Sequence, residues 1–426
     1  MSNAGRPGAP TESTITGRGA SSVGVASIVA AVSAYVVLLV VARSLDVAQN
    51  SQFLVYWSLL FYLFGALTGV YQETTRAVGA GRDVGERGAS VLRSGLLVGA
   101  VVAAAILATS WLWSQRVLGA AGGRQALLLG VAALLYAGHS ALGGSLSGRR
   151  EWHLYSALLS AESLVRLAVV VIVVAVAGSS GLDVAVVSGE LVWLVLLVGS
   201  ARSRAASRAL ADVALGKLLG NSGYAMAAAA ASAALAVGFP VLLRATSDPI
   251  EWTTAAPLVL AITLTRAPLL IPLSAYQGVS VTYFVAHRGE GLRQAMRVVG
   301  LITGVGLVGA VAAYLVGPAL LRFLFGPGYD VSGAILVGLT VAATLLALLT
   351  FSGSAVLAMG RHASYALGWL VAIAVSAATL LLPFALADRA LLSLVLGPVA
   401  GLVVFAAVLA PWLRAVAPRE GHAGRP

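Results

Sequence analysis

The chain has 426 residues, of which 59% are hydrophobic and only 10% are charged, and its mean hydropathy is +0.94. Soluble domains do not show this balance, so the composition predicts a polytopic membrane protein. The net charge of +11 comes from dispersed arginines, so we expect no nucleic acid partner. The chain has no cysteine, and its five histidines lack metal-site spacing, so we expect no thiol chemistry, metal or other cofactor.

About twelve segments are apolar and long enough to cross a bilayer, which takes roughly 20 residues of helix. A polar tail, residues 1–20, precedes the first of them, and that first segment is too long for a cleaved signal peptide. The sequence therefore predicts an all-α integral membrane protein. Its predicted spans are 21–42, 52–75, 92–114, 125–147, 154–178, 182–200, 220–243, 254–284, 296–317, 331–357, 364–386 and 391–413.

The loops on the side of the N-terminus hold most of the 27 Lys and Arg residues. The loop between the second and third predicted spans, for example, carries Arg76, Arg82, Arg87 and Arg93. Basic residues favour cytoplasmic loops. We therefore predict a multi-pass membrane protein with both termini in the cytoplasm.

Short segments recur half a chain apart. A Tyr-Gln pair ends the second span in 67–82 (LTGVYQETTRAVGAGR) and recurs in 273–288 (LSAYQGVSVTYFVAHR). VARSLD at 41–46 and LRATSD at 243–248 each end the first span of a half. Six spans in each half have the same orientation, which predicts two parallel six-helix repeats around a central cavity.

This repeat divides the chain into four predicted parts. They are an N-terminal tail (1–20), an N-terminal six-helix lobe (21–213), a C-terminal six-helix lobe (214–415) and a C-terminal tail (416–426).

The eighth predicted span contains groups that a lipid-facing helix avoids. Arg266 lies near its middle, Pro268 and Pro272 follow, and Gln277 lies further along. A cation at the bilayer centre costs roughly 2.5–3.5 kcal/mol, and an internal proline bends or breaks a helix. We therefore predict a broken helix that lines a polar pathway. Arg266 either binds an anionic group or pairs with a carboxylate of a neighbouring helix.

Three further charges lie inside predicted spans. Glu162 and Arg166 are four residues apart, with the acid first, which favours a pair on one helix face. This pair either forms a charged cavity wall or only neutralises itself. Glu190 has no cation within a helical turn. It is either a proton-holding carboxylate that couples transport to an ion gradient, or the partner of Arg166 or Arg266.

The end of the second span carries Gln72, Glu73 and Arg76. These residues form either a polar gate or an ordinary interfacial cluster in which Arg76 reaches toward lipid headgroups. In the fourth span, His139 is interpreted as a packed, hydrogen-bonded histidine. Ser140, Gly144 and Gly148 follow it at every fourth position and predict a close-packing helix face.

One stretch resembles a known family. LRFLFGPGYDVSGAILVGLTVAATLLALL (321–349) contains an aromatic-Gly-x-Gly-Tyr core formed by Phe325, Gly326, Gly328 and Tyr329. It resembles the segment after the ninth span of polysaccharide flippases, which belong to the multidrug/oligosaccharidyl-lipid/polysaccharide exporter superfamily.

Other segments extend the resemblance over most of residues 17–415. They are the opening GRGASSVGV, YQETTRAVG at the end of the second span, and AVLAMGRHASYALGWLVAI with its Gly-Arg turn. The resemblance implies a carrier, not an enzyme, that flips a lipid-linked oligosaccharide on undecaprenyl pyrophosphate to the outer leaflet of the bacterial cytoplasmic (inner) membrane by alternating access. Its implied partners are this lipid-linked glycan, membrane lipids and glycan-assembly enzymes.

The resemblance also implies a cationic cavity, in which Arg166 and Arg266 are the residues available to meet a pyrophosphate. The other candidate substrate-binding residues are Glu162, Gln277, Gln72 and Arg76, and the candidates for ion coupling are Glu190 and Glu73.

Three alternatives stay open from the sequence. A multidrug exporter of the same fold would use carboxylates such as Glu73, Glu162 and Glu190 to bind cations. A membrane glycan polymerase or ligase would need a large outer loop, and the predicted outer loops are short. A non-transporting scaffold of an envelope assembly is the third.

Overall fold

Each of the twelve predicted spans has a helical counterpart in the computed structural model, which describes residues 17–84, 88–286 and 291–416. The first half of the chain contains five long helices and three short ones. They are α1 (Gly17–Ser44), α2 (Val47–Val84), α3 (Val91–Leu118), α4 (Gly122–Gly148), α5 (Trp152–Ala177), α6 (Leu182–Ala185), α7 (Val192–Gly199) and α8 (Ala201–Ser207).

The second half repeats this arrangement with a different distribution of short helices. Its elements are α9 (Leu215–Ala236), α10 (Phe239–Ala245), α11 (Pro249–Trp252), α12 (Ala256–Ala286), α13 (Gly291–Phe325), α14 (Gly333–Ala358), α15 (His362–Thr379) and α16 (Leu386–Val416). We call the face at which α1 begins the terminus face, and the opposite face, where α1 and α2 meet, the far face.

Length and composition mark eight helical stretches of the described chain as membrane spans, or nine if the bent pair α9–α10 is one span. One of the eight, Val91–Gly148, contains both α3 and α4. These two helices pack along each other on either side of the 3-10 turn Gly119–Ala121, so this stretch crosses twice. Two shorter apolar helices, Ala256–Leu270 and Ala363–Thr379, match the eighth and eleventh predicted spans.

The predicted break in the eighth span is wrong, because the backbone of α12 stays helical from Ala256 to Ala286 through both prolines. The breaks lie in the two preceding spans. The sixth span consists of α6, a 3-10 turn at Ser188–Leu191 and α7. The seventh bends by 71° between α9 and α10. Breaks of this kind expose backbone carbonyls inside the bundle, which need donors from neighbouring helices.

Helix packing repeats between the two halves. In the first half, α3 and α2 both pack along α4, and α1 packs along α5. The equivalent helices six spans later do the same, because α13 and α12 pack along α14 and α9 contacts α15. Aspartates at corresponding positions also cap helices, since Asp46 accepts from the amide of Gln49 at the start of α2, and Asp248 accepts from that of Ile250 at the start of the short helix before α12, each at 2.8 Å. The fold is therefore two parallel six-helix repeats.

The small-residue face of α4 is confirmed. A Cβ added at Gly144 would lie 2.7 Å from the carbonyl oxygen of Tyr71, and one at Gly148 would lie 2.9 Å from that of Thr75. The backbones of α2 and α4 therefore approach as closely as glycine allows, which is how helices gain packing energy in lipid.

The segment between α8 and α9 is paired with the α2–α3 loop at the terminus face. The amides of Gly88 and Val91 donate to the carbonyls of Ala211 and Ala209, at 3.0 and 3.2 Å. This short antiparallel pairing anchors the connection between the two repeats on the first repeat.

Candidate functional site

A cavity of about 750 Å³ lies between the two repeats. Helices α1, α2, α4 and α5 line it on one side, and α9, α12, α14 and α15 on the other. Its wall is mostly apolar, with aromatic rings and hydroxyl groups interspersed. The polar and aromatic lining residues include Gln72, Tyr136, Glu162, Arg166, Tyr365 and Trp369.

A buried cluster of charges forms one wall of this cavity. The guanidinium Nη2 of Arg166 donates to Glu190 Oε1 at 2.7 Å and also pairs with Glu162. Its Nε donates to the carbonyl of Val186 at 2.9 Å, in the broken sixth span. All three charged side chains are less than 10% exposed. The predicted i, i+4 pair is therefore present, and it extends to the carboxylate of a second helix.

The break in the sixth span places Glu190 against α5. Gly189 makes this approach possible, because an added Cβ would lie 2.5 Å from the carbonyl oxygen of Glu162 and 3.2 Å from Arg166 Cβ. A larger residue at 189 would push the 3-10 turn, and the carboxylate next to it, away from Arg166.

His139 completes the cluster on the side of α4. Its Nδ1 lies 3.8 Å from Glu190 Oε2, and neither atom has a hydrogen-bond partner among the described residues. His139 is buried as predicted, but the predicted hydrogen bond is not present at Nδ1. With both glutamates ionised, one guanidinium faces two carboxylates, so the cluster carries an excess negative charge unless a proton or another cation joins it.

An aromatic ladder lines the cluster on the cavity side. The Arg166 guanidinium lies 5.1 Å from the ring centre of Phe61 and 5.8 Å from that of Phe64. Phe64 stacks on Tyr136 at 4.2 Å, and Tyr136 stacks on His139 at 5.4 Å. The rings lie beside the charges on the cavity wall, and the faces of Phe61 and Phe64 attract the Arg166 cation.

Arg266 lies apart from this cluster. Its Nη1 donates to the carbonyls of Leu235 and Ala236, at 2.9 and 2.8 Å, where α9 ends. The side chain is 7% exposed and borders a second cavity of about 240 Å³, which Tyr35 and Trp57 also line. Among the described residues, no carboxylate forms an ion pair with it. The charge is balanced by the negative end of a broken helix.

Glu73 and Arg76 form a separate cluster near the terminus face. Arg76 donates to both oxygens of Glu73, at 2.8 and 2.6 Å, and to both oxygens of Asp212, at 2.9 and 3.1 Å. Asn221 donates to Glu73 at 2.9 Å. The hydrogen bonds from Arg76 hold the pKa of Asp212 below its ordinary value. This network joins α2 to the connection between the repeats and to α9.

The structure thus distributes the predicted site residues over three places. Glu162, Arg166 and Glu190 meet in one cluster, in which Glu162 and Arg166 line the main cavity and Glu190 is fully buried. Gln72 also lines that cavity, although Arg76, one turn along α2, points into the terminus-face network. Arg266 borders the smaller cavity. Gln277 lies on α12, and its side chain is outside the described part of the chain.

The sequence did not indicate Tyr136 as a site residue, although the signal was available. Tyr136 and His139 are three positions apart on α4, so they share a helix face. An aromatic residue and a histidine on the same helix face as the close-packing glycines would have indicated that α4 contributes to the cavity wall.

Comparisons with known proteins bear on the fold and on the family. No family model matches the chain. Solved structures with a similar fold include an inward-facing multidrug resistance MATE family transporter of the MOP superfamily (TM-score 0.68, 14% identity, 91% of this chain and 96% of that one). They also include the eukaryotic MATE transporter AtDTX14 (0.66, 16%, 94% and 98%).

A third similar structure is a MOP superfamily transporter from Pyrococcus furiosus, described by the reverse polarity of its binding pocket (TM-score 0.66, 13% identity, 95% of this chain and 97% of that one). At these identities the likeness establishes the fold. The chain is therefore a multi-pass membrane protein with the fold of MATE transporters. The expected superfamily fold is confirmed, and the flippase subfamily stays a prediction.

Closer relatives occur in mycobacteria. The uncharacterized protein Rv1510 of Mycobacterium tuberculosis is 37% identical over 414 residues, which cover 96% of this chain and 95% of the relative. The uncharacterized protein Mb3654 of Mycobacterium bovis is 38% identical over 396 residues, which cover 91% of each chain. Identity of this extent covers both repeats, and the chain belongs to the same protein family as Rv1510 and Mb3654.

Proposed function

We propose that this protein is a secondary transporter that exports an amphiphilic, cationic organic molecule in exchange for protons. The observation that carries this proposal is the buried Glu162–Arg166–Glu190 cluster on the wall of the central cavity. It holds two carboxylates for one guanidinium, and one carboxylate oxygen has no partner within the described residues.

The cavity suits a drug-sized substrate. Its volume of about 750 Å³ falls within the range of roughly 300–1,000 Å³ that is usual for small-molecule sites. Apolar and aromatic residues dominate the wall, and Tyr365 and Trp369 face the site from α15. Such a surface binds flat apolar groups, and aromatic faces also attract cations.

The charges favour a cation over an anion. The Nε of Arg166 already donates to a backbone carbonyl and its Nη2 to both carboxylates, so these donors are engaged within the protein. The excess charge on this wall is therefore negative. An anionic pyrophosphate would meet two carboxylates here, whereas an organic cation would replace the missing positive charge.

A proton is the natural competitor of that cation. Glu190 Oε2 and His139 Nδ1 face each other at 3.8 Å, and a proton on either group would neutralise the cluster. In the described residues, no group of three His, Asp or Glu is placed to hold a metal ion. Protonation of Glu190 would then remove the excess negative charge that holds the substrate cation, and the cation would leave Glu162.

The test uses purified protein in liposomes with an imposed pH gradient and tetraphenylphosphonium as the probe cation. The wild type should move the probe against its gradient when protons flow the other way. Glu190→Gln should abolish the dependence on the pH gradient, and the matched control Glu151→Gln, a half-exposed surface carboxylate, should not. Equal gradient-driven transport by Glu190→Gln and the wild type would contradict proton coupling at this residue.

A second candidate function is flipping of a lipid-linked oligosaccharide, as the sequence resemblance implies. The observation that favours it is Arg266, a buried cation that borders the smaller cavity without a carboxylate partner among the described residues. Deletion of the gene in its native bacterium, followed by mass spectrometry of lipid-linked intermediates, tests it. Accumulation of an undecaprenyl-linked oligosaccharide with loss of a surface glycan would favour this function. An unchanged lipid pool with new sensitivity to cationic drugs would favour the exporter.

A further inference from the structure

We propose that contacts between the α1–α2 corner and the α13–α14 loop form a latch that closes the central cavity at the far face and opens once in each transport cycle. We call Arg43, Asn50, Ser51 and Tyr329 the far-face latch. The cycle itself rests on the proposed transport function, but the latch has a structural readout of its own.

Tyr329 is the centre of the latch. This residue ends the aromatic-Gly-x-Gly-Tyr core and is 3% exposed, although it lies in a loop. Its hydroxyl accepts a hydrogen bond from Asn50 Nδ2 at 2.8 Å and donates to the carbonyl of Ala42 at 3.4 Å. One side chain of the second repeat therefore binds the end of α1 and the start of α2.

The next residue of α2 binds a different element of the second repeat. The Ser51 hydroxyl accepts from the amide of Ala256 at 2.9 Å, at the start of α12. The indole of Trp252 donates to the carbonyl of Ser51 at 3.2 Å. Asn50 and Ser51 are both buried, so these consecutive residues fix the start of α2 to two loops of the second repeat.

Arg43 adds a contact at the protein surface. Its Nε donates to the carbonyl of Leu324 at 2.6 Å, and its Nη2 donates to that of Phe323. These are the last carbonyls of α13, where a cation is favoured by the helix dipole. The side chain is exposed, so it can exchange these carbonyls for water when the latch opens.

The two glycines of the motif explain why it closes so tightly. Gly326 has φ +112°, which lets the chain leave α13 and turn back toward α2. A Cβ at Gly328 would lie 3.1 Å from Val47 Cγ2, so the loop rests directly on the first turn of α2. Together they place the Tyr329 ring, 5.8 Å from that of Phe325, between the repeats.

The latch closes one face only. Cavity residues Leu357 and Tyr365 lie in the last turn of α14 and the first turn of α15, at the ends of these helices on the terminus-face side. The cavity therefore extends toward the terminus face, and the latch lies beyond its closed end. Alternating access requires the far-face contacts to separate. The latch can separate and re-form, because its buried members are joined by neutral hydrogen bonds and Arg43 is exposed to solvent.

Disulfide trapping tests the latch, and the absence of native cysteines makes the test specific. A Cβ at 328 would lie 3.1 Å from Val47 Cγ2, so cysteines at these two positions lie within reach of a disulfide, which needs Cβ positions about 3.5–4.5 Å apart. We expect Val47→Cys/Gly328→Cys to cross-link rapidly with copper phenanthroline. Addition of Tyr329→Phe should slow cross-linking at least threefold, because the open state becomes more populated.

The control pair is Gly317→Cys/Leu336→Cys, which joins α13 to α14 within one repeat, with Cβ positions 3.8 Å apart. Its cross-linking rate should not respond to Tyr329→Phe. Spin labels at Gln49→Cys and Asp330→Cys, both exposed, provide a second measurement. Tyr329→Phe should shift their distance distribution to longer values, whereas Tyr314→Phe, on the exposed face of α13, should not.

These measurements need no substrate, so they separate the latch from the proposed function. An unchanged cross-linking rate and an unchanged distance distribution in Tyr329→Phe would overturn the latch, whatever the protein transports. If the latch holds and tetraphenylphosphonium is moved, oxidation of the 47–328 pair should stop transport and a reductant should restore it. Transport at the full rate by the cross-linked protein would overturn the proposal that the latch opens in the cycle.

Discussion

The guanidinium of Arg266 donates a 2.8 Å hydrogen bond to the carbonyl of Ala236, the last residue of α9. A second bond reaches the carbonyl of Leu235. The end of any helix leaves carbonyls without intrahelical partners, and inside a membrane no water reaches them. Arg266 therefore supplies the donors that the broken seventh span requires, a role that the sequence did not suggest.

Replacement of Arg266 tests whether this cap stabilises the fold. Arg266→Met should destabilise the protein by about 1–3 kcal/mol for each carbonyl left without a donor. Arg266→Lys should retain much of that stability, because the ammonium keeps both the charge and hydrogen-bond donors. Thermal unfolding in detergent measures both variants.

The matched control is Arg322→Met, at a half-exposed arginine near the end of α13. It should change the unfolding temperature little, because exposed ion pairs contribute about 0–1 kcal/mol. If Arg266→Met unfolds at the wild-type temperature, the cap is not structural. An Arg266→Lys variant that folds normally but loses transport would assign the remaining guanidinium donors to substrate.

The Arg166 cluster gives a prediction about coupled mutations. Arg166→Met alone should cost about 3–5 kcal/mol, because it leaves two buried carboxylates without their cation. The triple variant with Glu162→Gln and Glu190→Gln should recover most of that loss, because no charge then stays buried. A cycle of unfolding free energies measures the coupling. Additive losses in the triple variant would show that the three residues do not act as one unit.

The positions of the membrane spans were the most predictable feature, because hydropathy depends only on local composition. The i, i+4 pair of Glu162 and Arg166 was also local, and it is present. The link to Glu190 was only one of several options, since it depends on how the sixth span folds back on α5. No pattern that we found in the sequence predicts the 3-10 turn at Ser188–Leu191.

The position of the helix breaks shows why sequence reasoning failed elsewhere. Pro268 and Pro272 predicted a break in the eighth span, but α12 continues through both, as helices in membranes can when neighbours satisfy the freed carbonyls. The seventh span breaks instead after Ala236, before the Gly238–Phe239–Pro240 sequence. Which proline ends a helix is decided by tertiary donors such as Arg266, and these are distant in sequence.

The crossing of α2 and α9 predicts opposite effects for two glycine substitutions. A Cβ at Gly69 would lie 2.5 Å from Met226 Cα and 2.6 Å from the carbonyl carbon of Ala225, so the helices would have to separate. Gly69→Ala should destabilise the protein by about 1–3 kcal/mol, as overpacking usually does. Gly223→Ala, on α9 with no atom within 4 Å of the new Cβ, should be neutral or slightly stabilising. Equal unfolding temperatures for the two variants would contradict this close approach.

The Arg76–Asp212 contact predicts a specific pH dependence. Hydrogen bonds from Arg76 lower the pKa of Asp212 in the folded protein, so this carboxylate stabilises the fold at any pH above its unfolded pKa of about 3.9. The contribution is lost as the pH falls through the lower, folded pKa. Since the pair is partly exposed, its size should be about 0.5–1 kcal/mol.

Asp212→Asn should therefore unfold at a lower temperature than the wild type at pH 6.5, and the difference should shrink below about pH 3.5. Asp330→Asn is the control, because this exposed aspartate has only a 3.8 Å contact with Arg322. It should show no comparable difference at either pH. A difference between Asp212→Asn and the wild type that stays constant down to pH 3 would mean that the carboxylate charge is not what links α2 to the connection between the repeats.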